Sequence, residues 1–499
     1  MDREVVYTDI AIVGYGLAGA TAAIAAHDAG AEVLILEKAA RFGGNSILSG
    51  GGILTVEDPK GAFQYFQALC NGKTGDDVIW AQVRKLAQIK DFLRELCKIN
   101  GAKLTVRNRP GIYPFPGRGA FNSVIVDEVP RFQCYPWVLA IGAGALLMKV
   151  MEDNVNARKI HIMTSTSAKE LLTDAGGGVS GVLAEKEGRE VTIKSRKAVI
   201  LACGGFEQNK KLQNQYLAAK PYYSMAPLTH TGDGIIMCMR LGASLWHMSH
   251  VHGSYGFKYP EFPIAFRHHI DGGRDPYEHR PYSIKMRWIV VDRKGKRFMN
   301  EYPPAPQDTP HRDLSHFDPN LPGFPRIPCY LVFDETARKE GRIVKPLGLK
   351  EVGYEWSDDN SKEIEKGWII KTENLDDLAG KINVPADNLK DTVKRWNEFV
   401  RSGKDLDFER PSGTMSAPIE SPPFYAMESW PILVNTQGGP EHNAKQQVLH
   451  ISEKPIPRLY AVGELGSMFG HLYELAGNLG ECITSGLIAA ENACKEHPM

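Results

Sequence analysis

The fold is decided by residues 8–37, which read TDIAIVGYGLAGATAAIAAHDAGAEVLILE. The short apolar run Thr8–Val13 predicts a buried strand, the Ala-rich run Leu17–Ala29 predicts a helix, and Ala31–Glu37 predicts a second strand. Strand, helix and strand within about thirty residues predict a βαβ unit, whose strands are parallel and whose crossover is right-handed.

Three glycines stand between this strand and this helix, in the order Gly14-x-Gly16-x-x-Gly19. The first glycine allows a tight turn, the second lets the backbone approach a pyrophosphate, and the third lets the helix pack on the strand. The helix N-terminus supplies free N–H groups and a partial positive charge for phosphates. Glu37 is placed to accept hydrogen bonds from ribose hydroxyls. The pattern predicts a dinucleotide site that disfavours the 2′-phosphate of NADP, but the acid alone does not separate FAD from NAD.

The composition excludes several classes of protein. Lys plus Arg and Asp plus Glu are each 59 in 499 residues, so the formal charge is zero, which argues against nucleic-acid binding. Hydrophobic residues make up 43% and charged residues 24%, which are ordinary globular values. Glycine is unusual, with 49 residues against a typical ~7%. We expect no membrane span and a cytoplasmic protein.

The eight cysteines are scattered without a CxxC pair, which predicts reduced and mostly buried thiols. No zinc or haem spacing is present, so no metal ligands are predicted.

Further elements follow from apolar periodicity along the chain. Helices are predicted within Asp76–Asn100, over Val138–Val155, over Leu375–Arg401 and over Asn478–Ala493. Strands are predicted at Ile160–Ser165, Ala168–Thr173, Val179–Glu185, Val191–Lys194, Ala198–Cys203 and Arg458–Val462. The stretch Gly256–Pro325 is rich in Pro, His and Arg, and it predicts an irregular second domain.

The block Arg41–Gly52 (RFGGNSILSGGG) follows Glu37 directly and favours FAD, because the chain there would pass along a flavin. Here the sequence resembles the flavoprotein family that contains soluble fumarate reductases, succinate dehydrogenase flavoprotein subunits and 3-ketosteroid dehydrogenases. Further blocks match this family in order: Leu201–Asn209, Thr231–Ala243, Ile289–Glu301, Leu375–Leu406, Pro422–Met427 and Tyr460–Ala490.

The resemblance implies an α/β protein with a Rossmann-like FAD-binding domain, split in sequence, and an inserted α+β capping domain that carries part of the catalytic site. The expected bounds are 1–270 and 422–499 for the FAD-binding domain and 271–421 for the cap. The succinate dehydrogenase branch has a histidine that holds FAD covalently where this chain has Asn45, so non-covalent FAD is implied. The implied FAD-binding residues are Gly14, Gly16, Ala18, Gly19, Glu37, Lys38, Gly43, Gly44, Asn45, Ser46, Ser49, Gly50, Gly51, Ala168, Cys203, Gly204, Gly205, Asn209, Gly232, Asp233, Gly463, Glu464, Asn478 and Leu479.

Two departures argue against a dicarboxylate substrate. The fumarate reductases have a proton-donating arginine four residues after an Asn-Glu pair, where this chain has Ala305. They also clamp the substrate with an arginine at the position of Glu474, where a carboxylate would repel a dicarboxylate.

The resemblance to ketosteroid dehydrogenases implies the catalytic residues instead. In that branch a tyrosine hydroxyl and a glycine N–H four residues later polarise a ketone, and Tyr473 and Gly477 have this spacing. Removal of an α-proton builds enolate charge, which needs such donors. The alternative is that Tyr473 only packs near the flavin. The usual tyrosine base is replaced by Ala305, so Tyr302 or Tyr113 is expected to take the proton. His471 is a candidate acid, or a structural histidine.

These observations predict an FAD enzyme that desaturates a cyclic ketone by α-proton abstraction and β-hydride transfer. The alternative is an enone or enoate reductase that runs the reverse reaction, and a third reading is a redox carrier without substrate turnover. The expected partners are a small-molecule substrate and an unidentified electron acceptor or donor.

Overall fold

A computed structural model describes residues 4–139, 142–268, 288–303, 308–344, 348–415 and 417–499. Its α-helices are α1 (Leu17–Asp28), α2 (Gly44–Leu48), α3 (Pro59–Cys70), α4 (Asp76–Leu86), α5 (Ile89–Cys97), α6 (Gly144–Ala157), α7 (Lys210–Tyr216), α8 (Asp233–Arg240), α9 (Pro310–Leu314), α10 (Glu335–Arg338), α11 (Ser361–Glu365), α12 (Leu375–Ile382), α13 (Ala386–Ser402) and α14 (Gly477–Ala493).

The strands, which form four sheets in the described ranges, are β1 (Glu4–Val13), β2 (Val33–Leu36), β3 (Ile53–Val56), β4 (Lys103–Asn108), β5 (Phe121–Glu128), β6 (His161–Met163), β7 (Thr166–Thr173), β8 (Val179–Lys186), β9 (Arg189–Leu201), β10 (Tyr223–Ser224), β11 (Leu245–Trp246), β12 (Val251–Phe257), β13 (Phe266–Arg267), β14 (Trp288–Val291), β15 (Cys329–Asp334), β16 (Ile370–Thr372), β17 (Phe424–Thr436), β18 (Gly439–Pro440), β19 (Gln447–Leu449) and β20 (Pro455–Ala461).

The chain divides into two compact units. The first contains residues 1–216, 226–251 and 435–499. Its main sheet has the order β19-β20-β9-β1-β2-β6, and β8 and β7 extend it from β9. Strands β1 and β2 are parallel, with Ile10 opposite Val33 and Val13 opposite Leu36, and α1 connects them. The predicted βαβ unit and the α/β fold class are confirmed.

The second unit contains residues 217–225 and 252–434. Its sheet has the order β13-β12-β17-β15-β14, with β10 and β16 also paired to β17. Helices α12 and α13 cover β14, β15 and β17, and Leu389, Trp396 and Val332 lie in the core that they share. The cap bounds 271–421 remain a prediction, because the division into compact units does not by itself define domains. The compact second unit extends past both bounds because β12 and β17 belong to its sheet.

Two predicted helices are each divided in the structure, and two predicted strands are joined into one. The helix within Asp76–Asn100 is two helices, α4 and α5, because the Gln88 N–H bonds to the Lys85 carbonyl and tightens the turn. The helix Leu375–Arg401 is also two, since Asn383 has φ +55° and Pro385 cannot continue a helix. The strands predicted at Val191–Lys194 and Ala198–Cys203 are one strand, β9, with a bulge opposite Thr8.

All eight cysteines are free, and five of them are buried, as predicted. No helix in the described ranges is both long and apolar enough to cross a membrane.

The core of the second unit gives a stability prediction. Leu389 is fully buried on α13, whereas Leu406 is 65% exposed in the same unit. We expect Leu389→Ala to lower the free energy of unfolding by about 2–5 kcal/mol, because it leaves a cavity between helix and sheet. Leu406→Ala is the matched control and should change it by less than about 0.5 kcal/mol. Equal denaturant midpoints for the two variants would contradict this packing.

Candidate active site

The turn between β1 and α1 is closed by glycines that touch neighbouring backbone. Gly14 has φ +112°, and a Cβ there would lie 2.3 Å from the carbonyl oxygen of Ala202. A Cβ on Gly19 would lie 2.0 Å from the carbonyl oxygen of Gly14. Backbone atoms therefore occupy the space that a side chain would need at Gly14 and at Gly19. The contact between Gly19 and the Gly14 carbonyl oxygen packs α1 against the end of β1.

Gly16 lies in open space by comparison. The protein atoms nearest to a Cβ there are Ser46 Oγ at 3.6 Å and the Gly43 carbonyl oxygen at 3.9 Å. Gly16 precedes the N-terminus of α1, where the first N–H groups have no partner within the helix. Ser46 Oγ accepts one of them, from Leu17, at 3.2 Å. The space in front of Gly16 therefore suits an anion such as a pyrophosphate.

Glu37 follows β2, and two backbone N–H groups hold its carboxylate. Tyr15 donates to Oε2 at 2.9 Å, and Ala39 donates to Oε1 at 2.8 Å. Burial raises the pKa of this carboxyl above its ordinary value. Each carboxylate oxygen keeps a further lone pair, so Glu37 can still accept from ribose hydroxyls.

Lys38 is held beside Glu37 by the block that begins α8. Its Nζ lies 2.6 Å from Asp233 Oδ2 and donates to Thr231 Oγ1 at 2.6 Å. Thr231 in turn donates to Asp233 Oδ1 at 2.9 Å. The two sequence blocks predicted to bind FAD are thus joined by an ion pair.

One pocket of the first unit collects many of the predicted FAD-binding residues. Those that line it are Gly14, Gly16, Ala18, Glu37, Lys38, Gly44, Asn45, Ser46, Ala168, Cys203, Gly204, Asp233 and Glu464. Sequence reasoning did not assign Tyr15, Thr166, Thr229, His230, Met237 and Cys482 to this pocket, although they line it too. Tyr15 lies within the Gly14-x-Gly16 pattern, and Thr229 and His230 directly precede the TGDG block, so these positions are signals that could have found them. His230 was expected to be structural.

Other predicted FAD-binding residues shape the surroundings of the pocket. Ser49 Oγ donates to the Ser46 carbonyl at 2.7 Å, and Asn209 Nδ2 donates to the Thr231 carbonyl at 2.8 Å. Left-handed backbone conformations occur at Gly43, Gly51, Gly232 and Gly463. A Cβ on Gly205 would lie 2.1 Å from Thr436 Oγ1, so this glycine is required by packing.

Three further predicted FAD-binding residues show features that packing within the protein does not explain or require. They are Gly50, Asn478 and Leu479. A Cβ on Gly50 would meet no atom within 4 Å. Asn478 has buried amide atoms, Oδ1 and Nδ2, without a protein partner, and Leu479 is buried beside it on α14. An unsatisfied buried amide is costly, so a ligand at this end of α14 would account for Asn478.

A buried cluster of Glu207, His230 and Glu464 adjoins the pocket. Glu207 Oε2 lies 3.2 Å from His230 Nδ1, and Asn435 Nδ2 donates to Glu464 Oε2 at 2.6 Å. Burial and then the charge of Glu207 raise the pKa of Glu464 well above its ordinary value. The ligand atoms of the three side chains lie within 4.8 Å of one another. Hydrogen bonds and the raised pKa of Glu464 are consistent with this geometry, which was not predicted from the sequence.

Two segments that carry catalytic candidates are fastened together by Glu474. Its Oε2 accepts the Ile112 N–H at 3.2 Å and the hydroxyl proton of Tyr65. The Tyr65 oxygen accepts the Tyr113 N–H at 3.1 Å. The segment of Tyr113 is therefore tied to the residue next to Tyr473, within the first unit. Burial raises the pKa of Glu474 to about 7.

The Tyr473 segment leads into α14. Tyr473 is buried and packs edge-on against Phe469, with ring centroids 5.5 Å apart. The Gly477 N–H already donates to the Glu474 carbonyl at 2.9 Å, and a Cβ on Gly477 would lie 2.4 Å from the Phe469 ring. The structure thus supplies a packing reason for this glycine. His471 is half-buried in the same loop.

Tyr302 belongs to the second unit. Its N–H donates to Asn300 Oδ1 at 2.8 Å. The adjacent Glu301 is fully buried and accepts from Arg297 Nε at 2.8 Å and from the Val290 N–H at 3.1 Å. An internal ion pair therefore holds the segment that carries Tyr302. Ala305 lies outside the described residues.

These features define a dinucleotide-binding flavoprotein: a βαβ turn with open space at Gly16, an acid for the ribose, and unsatisfied amide atoms at a second helix N-terminus. FAD fits this donor set. The chain matches the family described as "FAD binding domain" over residues 9–479, and it belongs to that family. It is an FAD-dependent oxidoreductase, as the sequence predicted.

Several characterised proteins are similar to the chain. It is 26% identical to the 3-oxosteroid 1-dehydrogenase of Mycobacterium tuberculosis, covering 97% of each chain. It is 25% identical to the 4-oxocyclohexanecarboxylate 2-dehydrogenase of Sinomonas cyclohexanicum, covering 96% and 92%, and 28% identical to the fumarate reductase (cytochrome) of Shewanella frigidimarina, covering 98% and 77%. The crystal structure of 3-ketosteroid Δ1-dehydrogenase from Sterolibacterium denitrificans has the same fold, with a TM-score of 0.81, 23% identity and coverage of 98% and 99%.

Substitutions at Gly16 and at Gly19 should have different effects, because only Gly19 is in close contact with protein backbone. Gly16→Ala should fold and lose FAD affinity, because its methyl group enters the space for the pyrophosphate without meeting protein. Gly19→Ala should lower the stability of the apoprotein, because its methyl group meets the Gly14 carbonyl oxygen. Thermal unfolding of apoprotein and titration with FAD separate the two effects. Tight FAD binding by Gly16→Ala would contradict the assignment.

The raised pKa of Glu474 predicts a pH dependence of stability. A carboxyl with a folded pKa of about 7 and an ordinary value of 4.5 favours folding while it is protonated. Its contribution is complete below pH 4.5 and is lost as the pH rises through 7, a loss of about 3 kcal/mol. Denaturant unfolding between about pH 5 and 8 should show this loss in the parent protein and less of it in Glu474→Gln. The exposed Glu95→Gln is the control. An unchanged profile in Glu474→Gln would disprove the assignment.

Proposed function

We propose that this enzyme desaturates a cyclic ketone at the carbons next to the carbonyl. The single observation that carries the proposal is the linkage of Tyr113 to the Tyr473 segment through Tyr65 and Glu474. Such a linkage supports a shared role for the two phenols, one to hold a carbonyl and the other to take a proton. The names of the dehydrogenase relatives, which act on a 3-oxosteroid and on 4-oxocyclohexanecarboxylate, agree with this chemistry.

The first role is to polarise the ketone. The Tyr473 hydroxyl donates to the carbonyl oxygen, and the negative charge that develops there on loss of the α-proton strengthens this hydrogen bond. Gly477 is the second donor predicted from sequence. Because its N–H is engaged with the Glu474 carbonyl, it would serve a ketone as a shared, three-centre donor. The N-terminus of α14 adds a partial positive charge at the same place.

The second role is to take the α-proton. We assign it to Tyr113, whose ring stacks on Phe115 with centroids 5.4 Å apart and whose backbone is pinned by Tyr65. Tyr302 is the alternative base, and His471 is the group that would relay the proton onward. FAD would be held without a covalent link beside Asn45, and it would supply the acceptor for the β-hydride. The substrate loses H⁺ and H⁻ and gains one C=C bond.

The reverse reaction, reduction of an enone or enoate, is the second candidate, because the fumarate reductase relative acts in that sense. Fumarate itself is disfavoured, since buried Glu474 stands where a clamp for a second carboxylate would be needed.

An anaerobic half-reaction screen tests the direction. The FAD-loaded enzyme is mixed with a 3-ketosteroid, a monocyclic ketone and the corresponding enones, and the absorbance of oxidised flavin is followed. Bleaching by a saturated ketone supports the desaturase. If the flavin stays oxidised with every ketone, and the reduced enzyme is reoxidised by an enone, the reductase replaces it.

Tyr473→Phe tests the carbonyl-holding role. We expect flavin reduction by the ketone to slow by about 10²–10³-fold at unchanged FAD content, because one donor to the developing charge is lost. Tyr460→Phe removes another buried hydroxyl, which donates to Glu496 at 2.7 Å, and it should keep the parent rate. Full activity of Tyr473→Phe would reject the role. Paired Tyr113→Phe and Tyr302→Phe variants identify the base by which of them loses the reaction.

A further inference from the structure

Arg109 is a cation of the first unit that interacts with the charge of Glu474 without forming an ion pair in the described ranges. It follows β4 directly, and its side chain makes no hydrogen bond or ion pair with any residue of the described ranges. Its neighbours differ, since Arg107 lies 3.6 Å from Asp127 and Arg118 Nε donates to the Gly111 carbonyl at 2.7 Å. Arg109 is therefore the exception in its own segment.

The guanidinium of Arg109 is largely shielded from solvent by the surrounding residues. The side chain keeps only partial exposure, and burial lowers the pKa of its guanidinium. A guanidinium stays charged under all physiological conditions, and a charge that is withdrawn from water without a partner costs several kcal/mol. Five N–H donors without a protein acceptor, in a partly closed place, are what an anionic ligand requires.

The position of Arg109 relates it to the proposed reaction. A Cβ built on Gly52 would lie 3.8 Å from Arg109 Nη1 and 3.6 Å from the Cβ of Ala476. The absence of a side chain at Gly52 thus leaves open space of at least one methyl group between Arg109 and the residue before Gly477. Glu474 and Tyr473 are both close enough to Arg109 to interact with its charge.

Glu474 does not cancel this cation. Its Oε2 is committed to Tyr65 and the Ile112 N–H, and no ion pair joins it to Arg109 in the described part of the chain. Its raised pKa keeps a substantial fraction of Glu474 neutral near pH 7. The guanidinium N–H groups of Arg109 therefore stay available to a ligand.

We propose that Arg109 binds a carboxylate of the substrate, so that the substrate is a cyclic keto acid. This inference rests on the proposed function for the ketone and adds the charged group. A planar guanidinium can hold a carboxylate with two parallel hydrogen bonds, which fixes the orientation of the ring relative to Tyr473. Arg109 is not among the residues that line the pocket at Gly16, which argues against a role at the FAD pyrophosphate.

A binding experiment tests the anion site without turnover. FAD-loaded enzyme is titrated by calorimetry with cyclohexanecarboxylate and with cyclohexanecarboxamide, which has the same shape and no charge. We expect the carboxylate to bind about 10- to 100-fold tighter. Arg109→Gln should abolish this preference, Arg109→Lys should keep part of it, and Arg107→Gln should keep all of it.

A second variant guards against a misfolded Arg109→Gln. Gly52→Val places a side chain in front of the guanidinium, so it should weaken carboxylate binding while leaving the charge present. Equal binding of the two probes to the parent enzyme, or a carboxylate preference that survives in Arg109→Gln, overturns the inference. A changed FAD dissociation constant in Arg109→Gln, with the preference intact, would assign Arg109 to the cofactor and overturn it as well.

A second experiment, which follows flavin reduction by two substrates, distinguishes a failure of this inference from a failure of the proposed function. The substrates are 4-oxocyclohexanecarboxylate and its methyl ester, and flavin bleaching is followed as a function of concentration. A lower KM for the acid, lost in Arg109→Gln, supports both proposals. Equal reduction by acid and ester keeps the desaturase and rejects the anion site. No bleaching by either compound, with a carboxylate preference in calorimetry, keeps the anion site and rejects the desaturase.

Discussion

The approach of Gly19 to the carbonyl oxygen of Gly14 is the contact on which the rest of the first unit depends. No side chain fits between them, so α1 lies directly against the end of β1, and its unpaired N–H groups face the space at Gly16. The order of the parallel strands then brings Glu37 and Gly204 to the same edge of the sheet, since both follow strands that flank β1. The FAD pocket forms where these carboxyl ends meet.

A second constraint is the use of buried carboxyl groups as anchors. Glu464 lies next to Glu207, Glu474 holds the Tyr65 hydroxyl and the Ile112 N–H, and Glu481 accepts from the Met468 N–H at 2.6 Å. Burial raises the pKa of Glu474 and of Glu481 to about 7, so these carboxyls carry protons over part of the physiological range. The loops around the proposed substrate site are therefore held by groups whose charge varies with pH, and the reaction proposed there would itself release a proton.

Much of the first unit could be predicted because its signals are local. The glycine spacing, the apolar run of β1 and the acid after β2 each follow from a turn, a strand or a hydrogen bond within about thirty residues. The breaks between α4 and α5 and the continuity of β9 could not be predicted in this way. Apolar periodicity passes unbroken through Ala87 and Gln88, and the polar run from Ser195 to Lys197 is accommodated by a bulge and not by a turn.

The sequence alone determined that this protein has a βαβ dinucleotide site, that the nucleotide is FAD and that its residues come from separate blocks of the chain. Only the tertiary structure shows which contacts are made by Glu474 and Arg109, which are not among the predicted FAD-binding residues. From the sequence, Glu474 only argued against a dicarboxylate substrate. In the fold, its hydrogen bonds connect the segment of Tyr473 to the segment of Tyr113. Arg109 lies in no motif, and only the fold shows that its guanidinium makes no hydrogen bond with the described residues. Both depend on contacts between residues far apart in the chain, which no local pattern records.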